Sequence, residues 1–189
     1  MKYLYTILLV LLTYSISYSQ DTLYVSPEAS YPNFPNISSA LDSANSGDII
    51  LVAQGTYGQI LSINKSITIS PLTQGTNYTI SANTIFTTPS DNIEVYIVGA
   101  VLNNISTSIG GSFDVFVNYI SCEILGNVSM ANNSTLFSSY YSKFYNTISL
   151  RNVIEIIGCE FISNSQMKTL TIDNNSSNTE INNYTSKLF

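Results

Sequence analysis

Twelve acidic and six basic side chains make up the whole ionic inventory of a 189-residue chain, so acid–base chemistry has few places to come from. Histidine and tryptophan are absent, which removes the commonest general base and the commonest nitrogen ligand for zinc. Cleavage of a sugar bond by water needs carboxylates converging within roughly 5 to 10 Å. Asp91, Asp114 and Asp173 do not share a register in the pattern described below, and no two Asp residues adjoin. A calcium-assisted elimination needs carboxylates around the metal and a Lys or Arg base. Arg151 is the sole arginine, and its expected partner is Glu155, four residues on. The residues therefore point to no catalytic set, no metal and no cofactor, and a net charge of -6 argues against a nucleic-acid partner.

Aromatic and thiol groups offer more. The chain holds 14 Tyr, and Tyr119 and Tyr141 stand 22 residues apart, with Tyr145 four further on. In the repeat described below, Tyr119 and Tyr141 fall at outward positions three and one before the anchor on neighbouring coils, with Tyr145 just beyond the turn. Such a patch could stack on sugar rings, since Tyr presents a flat apolar face with a hydroxyl at its rim. Glu123, Lys143, Glu160 and Lys187 alternate in sign at similar intervals. They read as a surface ladder that fixes register rather than as an acid–base site. The two cysteines, Cys122 and Cys159, would fall two coils apart, beyond the roughly 7 Å Cα separation a disulfide tolerates. Both are expected as free, buried thiols.

These groups need elements to position them. Residues 1–19 read as a signal peptide: Lys2, a short apolar run from Leu4 to Leu12, then small residues before a cleavage expected after Ser19. The run is about half of what a bilayer span needs, so no membrane span is expected, and the mature chain is placed outside the cytoplasm, secreted or at the cell surface. Residues 20–47 hold a strand at Thr22–Val25, a Pro-containing loop, and a helix that Asn36 caps, with Ile37, Ala40, Leu41 and Ala44 on one face. From Asp48 to Phe189 come short β-rich segments broken by Gly and Asn.

The repeat emerges when Ala100, Cys122, Ser142, Cys159 and Ser186 are superposed as anchors, spaced 22, 20, 17 and 27 residues. Five residues before the anchor stand Val95, Val117, Phe137, Ile154 and Ile181; two before it stand Val98, Ile120, Tyr140, Ile157 and Tyr184. Two after it stand Leu102, Ile124, Phe144, Phe161 and Leu188. Asn104, Asn127, Asn146 and Asn164 follow as turn residues. A strand alternates its faces, so the positions two before, at and two after the anchor are expected to point inward together. Columns of like residues at about twenty-residue intervals are what stacked coils require.

The stretch from Ile37 to Ile69, with Ala40-Leu41, Gly47-Asp48-Ile49-Ile50-Leu51-Val52, Gly55-Thr56-Tyr57 and Ser66-Ile67-Thr68-Ile69, resembles the start of secreted right-handed parallel β-helix proteins of the pectin lyase-like superfamily. The resemblance implies an all-β solenoid whose short helix plugs the first coil. It also implies proteins that often act on acidic polysaccharides, though the matched segment carries no catalytic residue, and the paired-Asp esterase pattern with flanking Gln is missing.

The expectation is a secreted parallel β-helix, its coils running over 48–189 and incomplete at the C-terminus, where further coils or another chain would cover the last edge. Its function reads as a non-catalytic surface, adhesive or carbohydrate-contacting scaffold, with polysaccharide as partner and Tyr119, Tyr141 and Tyr145 as contact residues. The alternatives are a polysaccharide lyase or glycoside hydrolase with its site weak or elsewhere, and a purely structural solenoid.

Overall fold

The computed structural model describes residues 19–28, 33–110, 112–130, 134–163, 170–172, 180–182 and 185–188, with side chains as far as residue 162. The expected leader at 1–19, apart from Ser19, lies outside the described residues. So do Asn164, Asp173, Tyr184 and Phe189.

The chain winds as a parallel β-solenoid in which each coil contributes a strand to each of three sheets. Sheet A has eight strands in the order β1 (Thr22–Val25), β2 (Ile49–Val52), β5 (Ile67–Pro71), β8 (Ile93–Val98), β11 (Val115–Ile120), β14 (Thr135–Tyr140), β17 (Asn152–Ile157) and β20 (Glu180–Asn182). Sheet B runs β3 (Thr56–Tyr57), β6 (Tyr78–Ile80), β9 (Ala100–Leu102), β12 (Glu123–Ile124), β15 (Lys143–Phe144), β18 (Glu160–Ser163) and β21 (Thr185–Leu188). Sheet C runs β4 (Leu61–Ile63), β7 (Thr84–Thr87), β10 (Ile105–Ser108), β13 (Val128–Met130), β16 (Ile148–Leu150) and β19 (Leu170–Ile172). Strands this short would not persist alone. Each is held by a parallel neighbour from the preceding or following coil.

The core fills the tube that the three sheets enclose. In sheet A, Ile50, Ile69, Ile97, Tyr119, Ser139 and Ile156 stack through the register, and each is essentially fully buried. A large residue lies beside a small one where space demands it, Tyr119 next to Ser139. Phe137 packs against Tyr119 and Phe144 with ring centroids 5.7 and 6.3 Å away, and Phe144 stacks on Phe161 at 5.2 Å. Offset aromatic contacts of this kind add to plain burial.

Among the described residues one helix occurs, α1 (Ile37–Ser43), and it begins where the sequence places it. Asn36 is extended, and its side chain accepts a hydrogen bond from the Ser39 N–H at 2.8 Å. Ile37, Ala40, Leu41 and Ala44 are buried, with the helix packed against β1, β2 and β4. Lys65 reaches back to donate to the carbonyls of Leu41 and Ala44 at 3.0 and 2.8 Å, where the helix's own C-terminal acceptors lack partners.

Three corrections to the repeat follow from the backbone. The residue before each of the first four anchors, Gly99, Ser121, Tyr141 and Gly158, has a positive φ of 62°, 53°, 53° and 63°. The chain turns a corner there between sheets A and B, so strand alternation restarts at the anchor. Residues two before it, Val98, Ile120, Tyr140 and Ile157, are only half-buried, and those three before it point inward. A bulge between Phe137 and Ser138 then sets Val153 opposite Phe137, so Ile154 is exposed and Val153 takes the expected inward place. Last, the final coil slips by two residues: Glu160 pairs with Thr185 rather than Lys187, and Phe161 with Ser186. Ile181 accordingly pairs with Ile156. Where Leu188 points lies outside the described side chains.

Candidate functional site

Sheet B's outer surface is built by residues one after the anchor, and Val101, Glu123, Lys143 and Glu160 pair in register there. The expected ladder of alternating charge therefore exists over these coils, and Lys143 stands between two carboxylates. On either side of Lys143 along its own coil lie Tyr141 and Tyr145. Leu125 and Tyr145 occupy equivalent places on adjacent coils, their N–H groups donating to Leu102 and Ile124 at 2.8 and 2.9 Å.

Tyr141 is held at the corner by its backbone. Its N–H donates to the Ile157 carbonyl at 2.8 Å, as Gly99 donates to Ile120 and Ser121 to Tyr140, both at 2.9 Å. Only glycine adopts this left-handed geometry without penalty, and glycine fills the corner at 99 and 158. A tyrosine here is an outlier, and the residue is 67% exposed. Its ring lies over Gly158, where a Cβ would meet Cδ1 at 2.6 Å and Cε1 at 2.8 Å. Tyr145 is half-buried.

Tyr119, expected beside them, is not on this surface. It belongs to the inward column three before the anchor and is fully buried, because the corner shifts which residues face out. Its hydroxyl has no hydrogen-bond partner, and burial pushes its pKa well above the ordinary range, with proximity to Cys122 adding to the shift.

The outer surface of sheet A carries a second arrangement that the sequence did not signal. Tyr96 donates to the Glu94 carboxylate at 2.6 Å, and Tyr140 donates to Glu155 at 2.7 Å. These bonds are the leading cause that holds both phenols above their usual pKa, with partial desolvation second. Glu155 thus has a partner on β14 that the expected pairing with Arg151 did not anticipate. The signal was present only as register: Ser138 pairs with Glu155, which brings Tyr140 into reach.

Cys122 and Cys159 are both free and buried. Ser142 lies between them in the same inward column, its hydroxyl accepting the Cys122 N–H at 3.1 Å. Burial pushes the Cys122 thiol up to about 12, so it is a neutral packing group that donates to the Ile97 carbonyl at 3.2 Å. Among the described residues no group of three or more Cys, Asp and Glu side chains is placed to hold a metal ion, and no helix is long and apolar enough to cross a membrane.

The expected Asn stack is present in part. Asn104 donates from its amide to Asn83 at 3.3 Å and accepts the Asn127 N–H at 2.9 Å. Asn83 is a member the repeat did not include. In the next coil the equivalent place belongs to Thr147, whose carbonyl accepts from Val128 as the carbonyl of Asn127 accepts from Ile105; Asn146 is one residue out of step.

No protein-family profile matches the chain, and no curated protein matches it. A solved structure described as rhamnogalacturonan lyase is similar to it with a TM-score of 0.44 and 15% sequence identity, over 87% of this chain and 56% of that one. The chain thus spans little more than half the length of the solved structure it matches.

Proposed function

We propose that this chain is a secreted or surface-exposed β-helix scaffold that contacts carbohydrate through the outer surface of sheet B without catalysing a reaction there, with α1 plugging the first coil. The observation that carries the reading is Tyr141: a bulky residue in a left-handed corner that glycine fills on two other coils, and one that is 67% exposed. Strained, exposed conformations persist where function holds them. An aromatic face laid on the flat backbone of Gly158, with Tyr145 on the same coil, suits the apolar face of a sugar ring. The test is retention of the purified chain on immobilised polysaccharides, for the parent and for Tyr141→Gly and Tyr145→Ala. Loss of retention in both variants with the fold retained supports the reading; retention equal to the parent sinks it.

A second reading has its own observation. The Tyr140–Glu155 pair at 2.7 Å joins a phenol and a carboxylate on the outer surface of sheet A, a combination that can pass a proton. Release of new reducing or unsaturated sugar ends, abolished by Glu155→Gln, would favour a polysaccharide-cleaving role.

A further inference from the structure

Resting on the scaffold reading above, we infer that the row Tyr141, Lys143, Tyr145 takes a neutral polysaccharide and discriminates against acidic ones. A cation in a binding row is ordinarily the group that recruits a carboxylate ligand. Lys143 cannot supply a net positive field here. Glu123 pairs with it in register on one side and Glu160 on the other, and neighbouring strands lie about 4.8 Å apart. Two carboxylates thus flank one ammonium in register, on a chain whose net charge is -6. An incoming polymer of uronate units meets repulsion both at long range and at contact.

A neutral sugar asks for what the row does offer. It needs a flat apolar surface, which the open side of the Tyr141 ring gives, and a few hydrogen-bonding groups at the margin to orient it. The phenol hydroxyls and the Lys143 ammonium provide these. Tyr141 and Tyr145 stand four residues apart, so their backbones are separated by at most about 14 Å, a span that fits an oligosaccharide stretch rather than a single ring. The two glutamates, one coil to either side, then offset the Lys143 charge, which makes the discrimination a property of the register.

The test titrates the full chain against a panel of soluble neutral β-glucans, xylans and galactans, and against polygalacturonate, at low and high salt. The inference expects a neutral polymer to bind with little salt dependence, and Tyr141→Gly to weaken it roughly tenfold. It also expects Glu123→Gln with Glu160→Gln to gain binding to polygalacturonate that salt reverses, with neutral binding kept. Tighter, salt-sensitive binding of polygalacturonate by the parent chain overturns the inference and leaves the carbohydrate-contacting reading standing. Flat titrations across the whole panel overturn that reading, and the inference with it.

Discussion

The aromatic ring of Tyr141 roofs Gly158 of the next coil, so closely that a methyl group on Gly158 would sit 2.6 Å from Cδ1. Both residues occupy the left-handed corner between sheets A and B, at φ 53° and 63°. Gly158→Ala should cost about 1 to 2 kcal/mol, part from the backbone and part from displacing the ring. In a Tyr141→Gly background only the backbone part should remain. A double-mutant cycle by urea unfolding reads the difference; additive costs would mean the ring does not rest on Gly158.

Tyr141→Gly by itself should leave stability unchanged or raise it by up to about 1 kcal/mol, because it removes a left-handed non-glycine residue whose side chain is mostly in solvent. Ser121→Gly should behave alike at the equivalent corner. A loss of more than about 1 kcal/mol in either, measured by urea unfolding, would show that the corner geometry is misassigned.

Cys122 and Cys159, both free and buried, should resist a thiol reagent in the native protein and react fully once it is unfolded in denaturant. Non-reducing mass spectrometry should find no loss of two hydrogens. A Cys122–Cys159 bond would contradict the register, which inserts Ser142 between them.

Alkali should destabilise the fold. The Cys122 thiol lies at about 12 when folded, against 9.0 for a free thiol, and the phenols of Tyr78 and Tyr119 are raised well above 10.0, burial being the main cause in all three. A raised pKa means that the folded state keeps its proton where the unfolded chain has lost it. Stability from the thiol is therefore complete below about pH 9 and falls as pH climbs through 9 to 12 by on the order of 1 kcal/mol per unit. The two phenols add a further loss that begins as pH passes 10.0. Urea midpoints measured from pH 8 to 11 should drop, and Cys122→Ala should shallow the slope; a flat profile would contradict the burial of these groups.

Gly126 lies against the Asn stack, and a Cβ there would fall 2.5 Å from the backbone of Asn103 and Asn104 and 2.6 Å from the Asn104 Oδ1. Backbone cannot step aside as a side chain can. Gly126→Ala should therefore cost more than Asn104→Ala, whose loss of two stacking hydrogen bonds is worth about 1 to 2 kcal/mol. Thermal melts of the two variants give the order directly, and the reverse order would refute the close approach.

Much of the fold was legible because a solenoid writes its geometry into the chain. The inward places at the anchor and two after it, Ala100 and Leu102, Cys122 and Ile124, Ser142 and Phe144, are buried as expected, since stacked coils repeat their environment. The helix was legible through the Asn36 cap and the spacing of Ile37, Ala40 and Leu41. What stayed hidden were departures from a straight strand. A left-handed corner leaves no mark when Ser121 or Tyr141 occupies it instead of glycine, so Tyr119 was read as outward when it lies in the core. The bulge at Ile154 and the two-residue slip in the last coil are register shifts, and an apolar residue fits either register in a chain this rich in isoleucine. Of the three tyrosines expected to face outward, Tyr141 at the corner is exposed and Tyr145 beyond it is half-buried.

Residues far apart in sequence lie as vertical neighbours in one sheet. Ser62, Ser106, Ser129 and Ser149 occupy one column of sheet C, with Ile85 between the first two. Spin labels attached at cysteines introduced at Ser129 and Ser149 should couple strongly, their backbones being about 5 Å apart, while labels at Ser62 and Ser149, four strands apart, should report about 19 Å plus the reach of the label arms. Weak coupling in the first pair, or a second distance shorter than the first, would contradict the stacked coils.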